Sequence, residues 1–241
     1  MERQALIDTL NRAYFSEERH ERALLDRLPR LLAGVRVFVD VGASLGQYTY
    51  FASRVLRDAR IVAVEADPVR FEELARNAAT WARETGNAIH AVHAAVTDVS
   101  GPVRFLSTGS DVSGGLFAHP VSGDAPAWTE IEVPGVRLDD LLADASPDFV
   151  KVDVEGAELR VLGGARRILA EARARWLLEV HGWKDPSTGA GSEDVFRRLE
   201  AHGYRAARLH GHELFSTGPL PMLPRLDSAL RRRLRRLRGR A

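Results

Sequence analysis

The chain has 241 residues, enough for one α/β domain with a well-buried core and short terminal additions, but short for two full domains. It contains no cysteine, so disulfides, cysteine-ligated zinc and a cysteine nucleophile are excluded, and we expect a cytoplasmic protein. The net charge of +1 is uneven, because residues 225–241 hold eight arginines and one aspartate while the rest is acidic, so the body is not expected to bind nucleic acid.

The first predicted element is a helical segment over residues 1–33. Its leucines recur at three-to-four spacing, as at Leu6 and Leu10 and again at Leu24, Leu28 and Leu31. Pro29 disfavours one continuous helix. The segment either caps the ligand-binding turn described below, or shapes a substrate pocket, or only covers the sheet.

Strand and helix patterns alternate from residue 35 onward. Strands are predicted at 35–41, 60–65, 89–94, 148–154, 175–181, 204–209 and 212–216, and helices at 46–57, 68–83, 157–171 and 192–202. This alternation predicts an α/β fold, with a mostly parallel sheet, helices on both faces and ligands outside the carboxyl ends of the strands. The last two strands, joined around Gly211, predict an antiparallel edge hairpin.

A glycine turn follows the first strand, with Asp40, Gly42, Ser44 and Gly46 in sequence. We expect the two glycines to let a ligand approach the backbone closely. Glu65 ends the second strand, nineteen positions after Gly46, where a carboxylate accepts hydrogen bonds from a ribose diol. The alternative is a tight turn without a ligand.

The spacing of this turn favours S-adenosylmethionine (SAM) over a dinucleotide. A dinucleotide fingerprint has a glycine at its middle position so that a pyrophosphate can dock, whereas this turn has Ser44 there. SAM carries no phosphate, and Asp40 would suit its ammonium and sulfonium groups while repelling a pyrophosphate. Ala95 and Val96 are predicted to lie against the adenine ring. Asp98 is a candidate for its amino group or, alternatively, for turn chemistry.

A long stretch, 107–129, interrupts the alternation and is rich in glycine and small polar residues. A loop of this length inside a domain is usually functional or disordered. We interpret it as a substrate-facing lid, with a passive mobile loop as the alternative.

Acidic and imidazole groups gather at the ends of two consecutive strands. Asp153 and Glu155 lie two apart on strand 148–154, so alternation points them to one side if the strand persists that far. Glu179 and His181 have the same spacing on strand 175–181, and Glu158 begins a helix. These residues are predicted to be catalytic, with His181 or Asp153 as the base that takes a hydroxyl proton. Alternatively, Asp153, Glu179 and His181 would bind Mg²⁺ or Mn²⁺.

The last segment, 219–241, is predicted to be a basic amphipathic helix. Its leucines are Leu223, Leu226, Leu230, Leu234 and Leu237, and arginines cover the other faces. The leucines would pack on the domain or on a second subunit of a homodimer. The arginines would instead contact an anionic membrane surface or nucleic acid, or the segment is a solvated end. The middle segment, 34–218, is then the single catalytic domain.

Several of these stretches together resemble the FkbM-type family of class I SAM-dependent methyltransferases. They are Asp40–Gly46, Val64–Pro68, Val133–Leu141, Lys151–Glu158 and Glu179–His181, within a match over 38–181. Ser44 stands where the family often has Asn, and Ala66 where Pro is common. The resemblance implies a Rossmann-like seven-stranded sheet with an antiparallel edge hairpin. It also implies methyl transfer from SAM to a hydroxyl of a sugar, glycan or secondary metabolite.

Two other functions stay open at this stage. A nucleic-acid methyltransferase is disfavoured, because Asp153-Val154-Glu155-Gly156 stands where such enzymes carry a D/N-P-P-Y/F stretch. A non-catalytic SAM-binding or interaction protein is disfavoured by the strand-end carboxylates, since only a reaction obviously needs them.

Overall fold

Ten strands form two sheets in the computed structural model, which describes residues 24–25, 27–107, 114–116 and 128–220. In chain order they are β1 (Val37–Val41), β2 (Arg60–Glu65), β3 (Ala88–His93), β4 (Ala95–Val96), β5 (Gly101–Ser107), β6 (Thr129–Val136), β7 (Phe149–Val152), β8 (Arg175–Leu178), β9 (Arg205–Leu209) and β10 (His212–Ser216).

The central sheet has seven strands in the order β3-β2-β1-β7-β8-β10-β9. All neighbours are parallel except β10, which runs antiparallel to both β8 and β9. The predicted parallel sheet and its antiparallel edge hairpin are therefore confirmed. Register across the sheet aligns Asp40 of β1 with Lys151 of β7, and Lys151 with Leu177 of β8.

Helices cover both faces of this sheet, as the sequence predicts. They are α1 (Leu28–Leu31), α2 (Gln47–Val55), α3 (Pro68–Thr85), α4 (Leu138–Leu141), α5 (Glu158–Gly163), α6 (Arg166–Glu171) and α7 (Ser192–Glu200). Strand residues alternate between the faces. Val39 packs with the apolar residues of α4–α7, while Phe38 packs with Leu28 of α1 and Tyr48 of α2.

The second sheet has three strands in the order β4-β6-β5. The sequence indicates β5 and β6 only as extended stretches flanking the 107–129 loop. Within that loop, Gly115 forms two backbone hydrogen bonds with Leu106, of 2.8 and 3.0 Å, so residues 114–116 extend the second sheet. The rest of the predicted lid lies outside the described residues.

Three predicted boundaries are wrong, and each error has a local cause. β7 ends at Val152 and β8 at Leu178, so the predicted strands 148–154 and 175–181 stop before their acidic residues. The predicted helix 157–171 is two helices, α5 and α6, separated by Gly164 and Ala165. A Cβ on Gly164 would lie 2.1 Å from the carbonyl oxygen of Thr97, so this close approach requires glycine.

The two predicted terminal segments are only partly described. Leu24, Leu28 and Leu31 are buried against the sheet, which fits the covering role at this end of 1–33. Residues 1–23 and 221–241 lie outside the described part. Within the described part, no helix is both long and apolar enough to cross a membrane.

Candidate active site

An open cleft of about 650 Å³ lies at the carboxyl ends of β1, β2 and β7. This volume includes solvent space at the open mouth of the cleft. Its walls come from the turn after β1, the ends of β2 and β4, the loop residues 114–116 and the segment after β7. The lining residues that matter below are Gly42, Ser44, Glu65, Arg70, Ala95, Val96, Phe105, Leu116, Asp153 and Glu155.

The turn after β1 needs glycine for a reason different from the predicted one. Gly42 and Gly46 have φ of +73° and +94°, which favour glycine. A Cβ on Gly42 would lie 1.8 Å from the carbonyl oxygen of Asp153, and one on Gly46 would lie 2.8 Å from Leu74 and Trp81 side-chain atoms. The close approach is therefore to the protein's own backbone and core. Only Gly42 also lines the cleft.

Glu65 lies at the cleft as predicted for a ribose-binding carboxylate. It is 7% exposed, and its Oε2 and Oε1 accept hydrogen bonds from the backbone N–H groups of Ser44 and Asp67, both at 2.8 Å. Burial raises the pKa of Glu65, and the hydrogen bonds from Asp67 and Ser44 act against that rise. Each oxygen keeps a further lone pair, so the carboxylate is oriented and can still accept from a diol.

Asp40 does not line the cleft, contrary to its predicted contact with the cationic arm of the cofactor. It lies on β1 and is fully buried, and its Oδ2 accepts from the backbone N–H and the hydroxyl of Thr49 at 3.0 and 2.7 Å. Alternation along β1 turns this side chain toward α2 instead of the strand end. Burial is the largest influence on the pKa of Asp40 and raises it. Asp40 therefore anchors α2 to the sheet.

Of the three residues predicted on the adenine side, two lie at the cleft. Ala95 and Val96 line the cleft, together with Phe105 and Leu116. Asp98 does not. Its Oδ1 accepts from the hydroxyl of Thr97 at 3.0 Å and lies 3.7 Å from the guanidinium of Arg160. Asp98 therefore faces α5, which supports the alternative of a local structural role.

Asp153 and Glu155 both line the cleft opposite Glu65. They reach it by a turn and not by strand alternation, because β7 has ended and Glu155 has a φ of +51°. The Oδ2 of Asp153 accepts from the Nζ of Lys151 at 3.1 Å. Burial acts to raise the pKa of Asp153, but the charges of Lys151 and His181 outweigh it and hold that pKa below its usual value. Asp153 is therefore ionised at neutral pH.

His181 lies between two carboxylates, as the strand-end prediction requires. Its Nδ1 is 2.7 Å from Oε1 of Glu158, its Nε2 is 3.3 Å from Oε2 of Glu155, and its ring stacks on Trp183. Burial lowers the pKa of His181, but the hydrogen bond to Glu158 and the surrounding carboxylate charges outweigh it and raise the pKa to about 9. His181 is then an imidazolium at neutral pH. As such it donates hydrogen bonds and does not accept a proton, which favours Asp153 as the base.

Glu179 is not part of this group. Its Oε2 lies 3.5 Å from Nε2 of His212, and it does not line the cleft. Register explains the pairing, since β10 runs antiparallel to β8 and brings His212 opposite the residue after Leu178. The structure therefore does not bring Glu179 together with Asp153 and His181, the other two predicted metal ligands. Among the described residues, the group whose ligand atoms lie within 4.8 Å of one another is Asp153, Glu155 and His181.

Two further residues near the site were not singled out from the sequence. Lys151 is 2% exposed, and its Nζ lies 4.5 Å from the ring centroid of Tyr48 besides contacting Asp153. His212 is 4% exposed, with its Nε2 3.5 Å from the Tyr48 hydroxyl. Burial, followed by the charge of Lys151, lowers the pKa of His212 to about 4. The available signal was a lysine inside the apolar strand Phe149–Val152, since buried lysines are rare unless paired.

A family model for the methyltransferase FkbM domain matches residues 40–206. The chain belongs to the FkbM methyltransferase family. This membership implies SAM as the methyl donor. Comparison with curated protein sequences finds no match.

Three solved structures share the fold of this FkbM-family chain. A methyltransferase FkbM from Methylobacillus flagellatus KT is 16% identical with a TM-score of 0.50, and the match covers 88% of this chain but only 60% of that one. A putative O-methyltransferase from Klebsiella pneumoniae is 13% identical with a TM-score of 0.53, covering 90% and 89%. Cofactor-bound Rv0187 from MTB is 15% identical with a TM-score of 0.52, covering 89% and 88%. At these identities the likeness shows the class I Rossmann-like fold alone.

Proposed function

We propose that this FkbM-family protein is a SAM-dependent O-methyltransferase that acts on a hydroxyl of a sugar, glycan or secondary metabolite. The observation that carries the proposal is the charge distribution around one cleft. Its lining holds three carboxylates, Glu65, Asp153 and Glu155, and one cationic side chain, Arg70. This arrangement suits a cationic ligand that has a ribose, and it disfavours a pyrophosphate.

The residues of the cleft fit SAM along its length. Ala95, Val96 and Leu116 form apolar walls for the adenine ring. Glu65 is oriented by two backbone N–H groups to accept from the ribose hydroxyls. Asp153 and Glu155 face the opposite end, where Asp153 would lie beside the sulfonium and its methyl group and Glu155 would attract the ammonium. When bound, SAM supplies an electrophilic methyl group on sulfur.

Asp153 is the proposed proton acceptor. The acceptor hydroxyl oxygen forms a bond to the methyl carbon while the sulfur–carbon bond breaks and its electron pair stays on sulfur. The hydroxyl proton becomes strongly acidic as the new bond forms, so an ionised carboxylate held in place is a sufficient base. Lys151 fixes one oxygen of Asp153 at 3.1 Å. The other oxygen is then available for this proton.

His181 has a supporting role in this mechanism. As an imidazolium between Glu155 and Glu158 it neutralises part of the carboxylate charge beside the cleft. It also restrains the side chain of Glu155, which extends from a left-handed residue. A substrate hydroxyl that accepts the methyl group would therefore enter a site whose hydrogen-bonding side chains are held in place.

A metal-assisted version of the same transfer is the second candidate. It is favoured by the three ligand atoms of Asp153, Glu155 and His181 that lie within 4.8 Å of one another. Carboxylates with one imidazole suit Mg²⁺ or Mn²⁺. Asp153, Glu155 and one ring nitrogen of His181, after loss of its proton, would hold the ion, which would supply Lewis acidity to a diol hydroxyl.

Calorimetry on the purified protein tests the cofactor. We expect SAM and S-adenosylhomocysteine to bind with micromolar affinity and NAD not to bind. Tighter binding of NAD than of SAM would overturn the proposal. Transfer of a labelled methyl group from SAM to a panel of sugars, glycans, phenols and nucleic acids then tests the acceptor. Labelling of nucleic acid alone would favour the runner-up, and SAM binding without transfer to any class would favour a non-catalytic protein.

A further inference from the structure

Ser44 occupies a backbone conformation that serine rarely adopts. Its φ is +52°, in the left-handed region, which is energetically unfavourable for a residue with a Cβ. The corresponding middle position of a dinucleotide-binding turn is a glycine, which adopts this conformation without such a cost. Something in the surroundings must therefore hold Ser44 in place.

A closed ring of four hydrogen bonds surrounds this residue. The N–H of Ser44 donates to Oε2 of Glu65 at 2.8 Å, and the N–H of Asp67 donates to Oε1 of Glu65 at 2.8 Å. The N–H of Arg70 donates to Oδ1 of Asp67 at 3.3 Å, at the start of α3. The Nη1 of Arg70 donates to the hydroxyl of Ser44 at 2.6 Å and closes the ring.

Arg70 donates the one hydrogen bond of the ring that joins two side chains. It begins on α3, crosses to the turn after β1 and lines the cleft beside Glu65. Among the described residues that line the cleft, it is also the only cationic one. Its charge favours the ionised form of Glu65, which is the form that accepts from two hydroxyls.

We propose that Arg70 is a positioning residue for the cofactor: through Ser44 and Glu65 it fixes the carboxylate that receives the ribose. This inference rests on the proposed function, because it requires SAM as the ligand. It assigns a role to a residue outside the motifs that carry the family resemblance. It also explains how a serine can occupy this position, since its hydroxyl accepts a hydrogen bond from the guanidinium of Arg70.

Calorimetric titration with S-adenosylhomocysteine tests the proposal without any methyl acceptor. Arg70→Met should weaken binding by at least about ten-fold, the effect expected from losing one hydrogen bond to a charged group. Arg76→Met is the matched control, because Arg76 lies on the same helix, is exposed and pairs with neighbouring Glu73. It should bind within about two-fold of the unsubstituted protein. Arg70→Lys should recover part of the loss.

Two further measurements separate positioning from a general structural role. In a Ser44→Ala background, Arg70→Met should cost much less than it does alone, because the hydrogen bond between Arg70 and Ser44 is already gone. The 2′-deoxy analogue of S-adenosylhomocysteine should show a smaller loss on Arg70→Met than the parent ligand. Melting temperatures of all variants are recorded, so that unfolding is not read as lost affinity.

The outcomes distinguish this inference from the proposed function. Unchanged affinity in Arg70→Met, fully additive losses with Ser44→Ala, or equal losses for both ligands would each overturn the role of Arg70 alone. No binding of S-adenosylhomocysteine by the unsubstituted protein would overturn the proposed function and this inference with it.

Discussion

His181 follows the end of β8 and His212 begins the adjacent strand β10, but the two rings have different neighbours. Glu155 and Glu158 contact the ring of His181, whereas His212 is buried near Lys151. The ordinary pKa of histidine is about 6.5, and the two sites move it in opposite directions, to about 9 and to about 4. At neutral pH, His181 is charged and His212 is neutral.

These pKa values predict a stability window. Because folding raises the pKa of His181, this residue adds to the free energy of unfolding below pH 6.5, and its contribution is lost as the pH rises to about 9. Because folding lowers the pKa of His212, that residue adds to the free energy of unfolding above pH 6.5, and its contribution is lost as the pH falls to about 4. Histidine NMR titration should show both values, with Glu158→Gln lowering that of His181. Glu193→Gln is the control, and a His181 signal titrating near 6.5 in the unsubstituted protein would contradict the assignment.

The proposed base predicts a loss of turnover without a loss of cofactor affinity. With an acceptor identified by methyl transfer, Asp153→Asn should lower turnover by roughly 10²-fold or more. Affinity for S-adenosylhomocysteine should stay within about two-fold, since Glu65 and the adenine walls are untouched. Asp144→Asn, at an exposed carboxylate paired with Arg60, should change neither quantity. Normal turnover in Asp153→Asn would remove this residue from the mechanism.

Chelation separates the base from the metal version of the site. If Asp153 acts alone, exhaustive EDTA treatment should leave turnover unchanged, and added Mg²⁺ or Mn²⁺ should not raise it. If Asp153, Glu155 and His181 hold an ion, EDTA should abolish turnover and one of the two ions should restore it. Turnover with and without chelator is the measurement, and a metal-free active enzyme would exclude the second version.

At the scale of elements, the turn after β1 and the segment after β7 depend on each other. Gly42 and Gly86 have nearly the same φ, +73° and +76°, but only Gly42 faces another part of the chain. Gly86→Ala should therefore cost about 1 kcal/mol of unfolding free energy from backbone conformation alone. Gly42→Ala should cost that amount plus roughly 1–3 kcal/mol, because the backbone of Asp153 must move. Chemical denaturation measures both, and equal costs would contradict the contact.

Much of the element pattern could be predicted from sequence, because periodicity and glycine turns are local signals. The alternation of Phe38 and Val39 between the two faces is one example. The end of β7 was placed too late because Val154 continues the apolar pattern, although the strand stops at Val152. The roles of Lys151 and His212 were missed because they depend on register across several strands, which no local pattern contains.

At the scale of the whole molecule, the strand order explains where the cleft lies. The chain builds β1, β2 and β3 outward in one direction and then returns to place β7 on the other side of β1. Ligands of open α/β sheets bind at such a switch point, outside the carboxyl ends of the strands. Here β2 supplies Glu65 and the end of β7 supplies Asp153 to opposite sides of the cleft. The same topology thus brings the proposed cofactor-binding side and the proposed acceptor side together.

The segment 221–241 gives the last prediction, argued from its sequence. If its leucines pack on the domain or on a second subunit, truncation after Pro224 should lower the melting temperature or dissociate a dimer, because each buried leucine contributes roughly 1.5–3 kcal/mol. If its arginines instead bind an anionic membrane surface, truncation should leave stability unchanged and abolish salt-sensitive binding to anionic vesicles. Thermal melting, light scattering and vesicle sedimentation distinguish the two.

We favour packing, and substitutions on the two faces of the segment give the matched comparison. Leu230→Gln with Leu234→Gln should reproduce the effect of truncation, because a buried polar amide without partners is costly. Arg232→Gln with Arg236→Gln should leave melting and oligomeric state unchanged while lowering the charge by two. If the double arginine substitution reproduces the effect of truncation and the double leucine substitution does not, the leucines are not the contact surface and the segment acts through its charge.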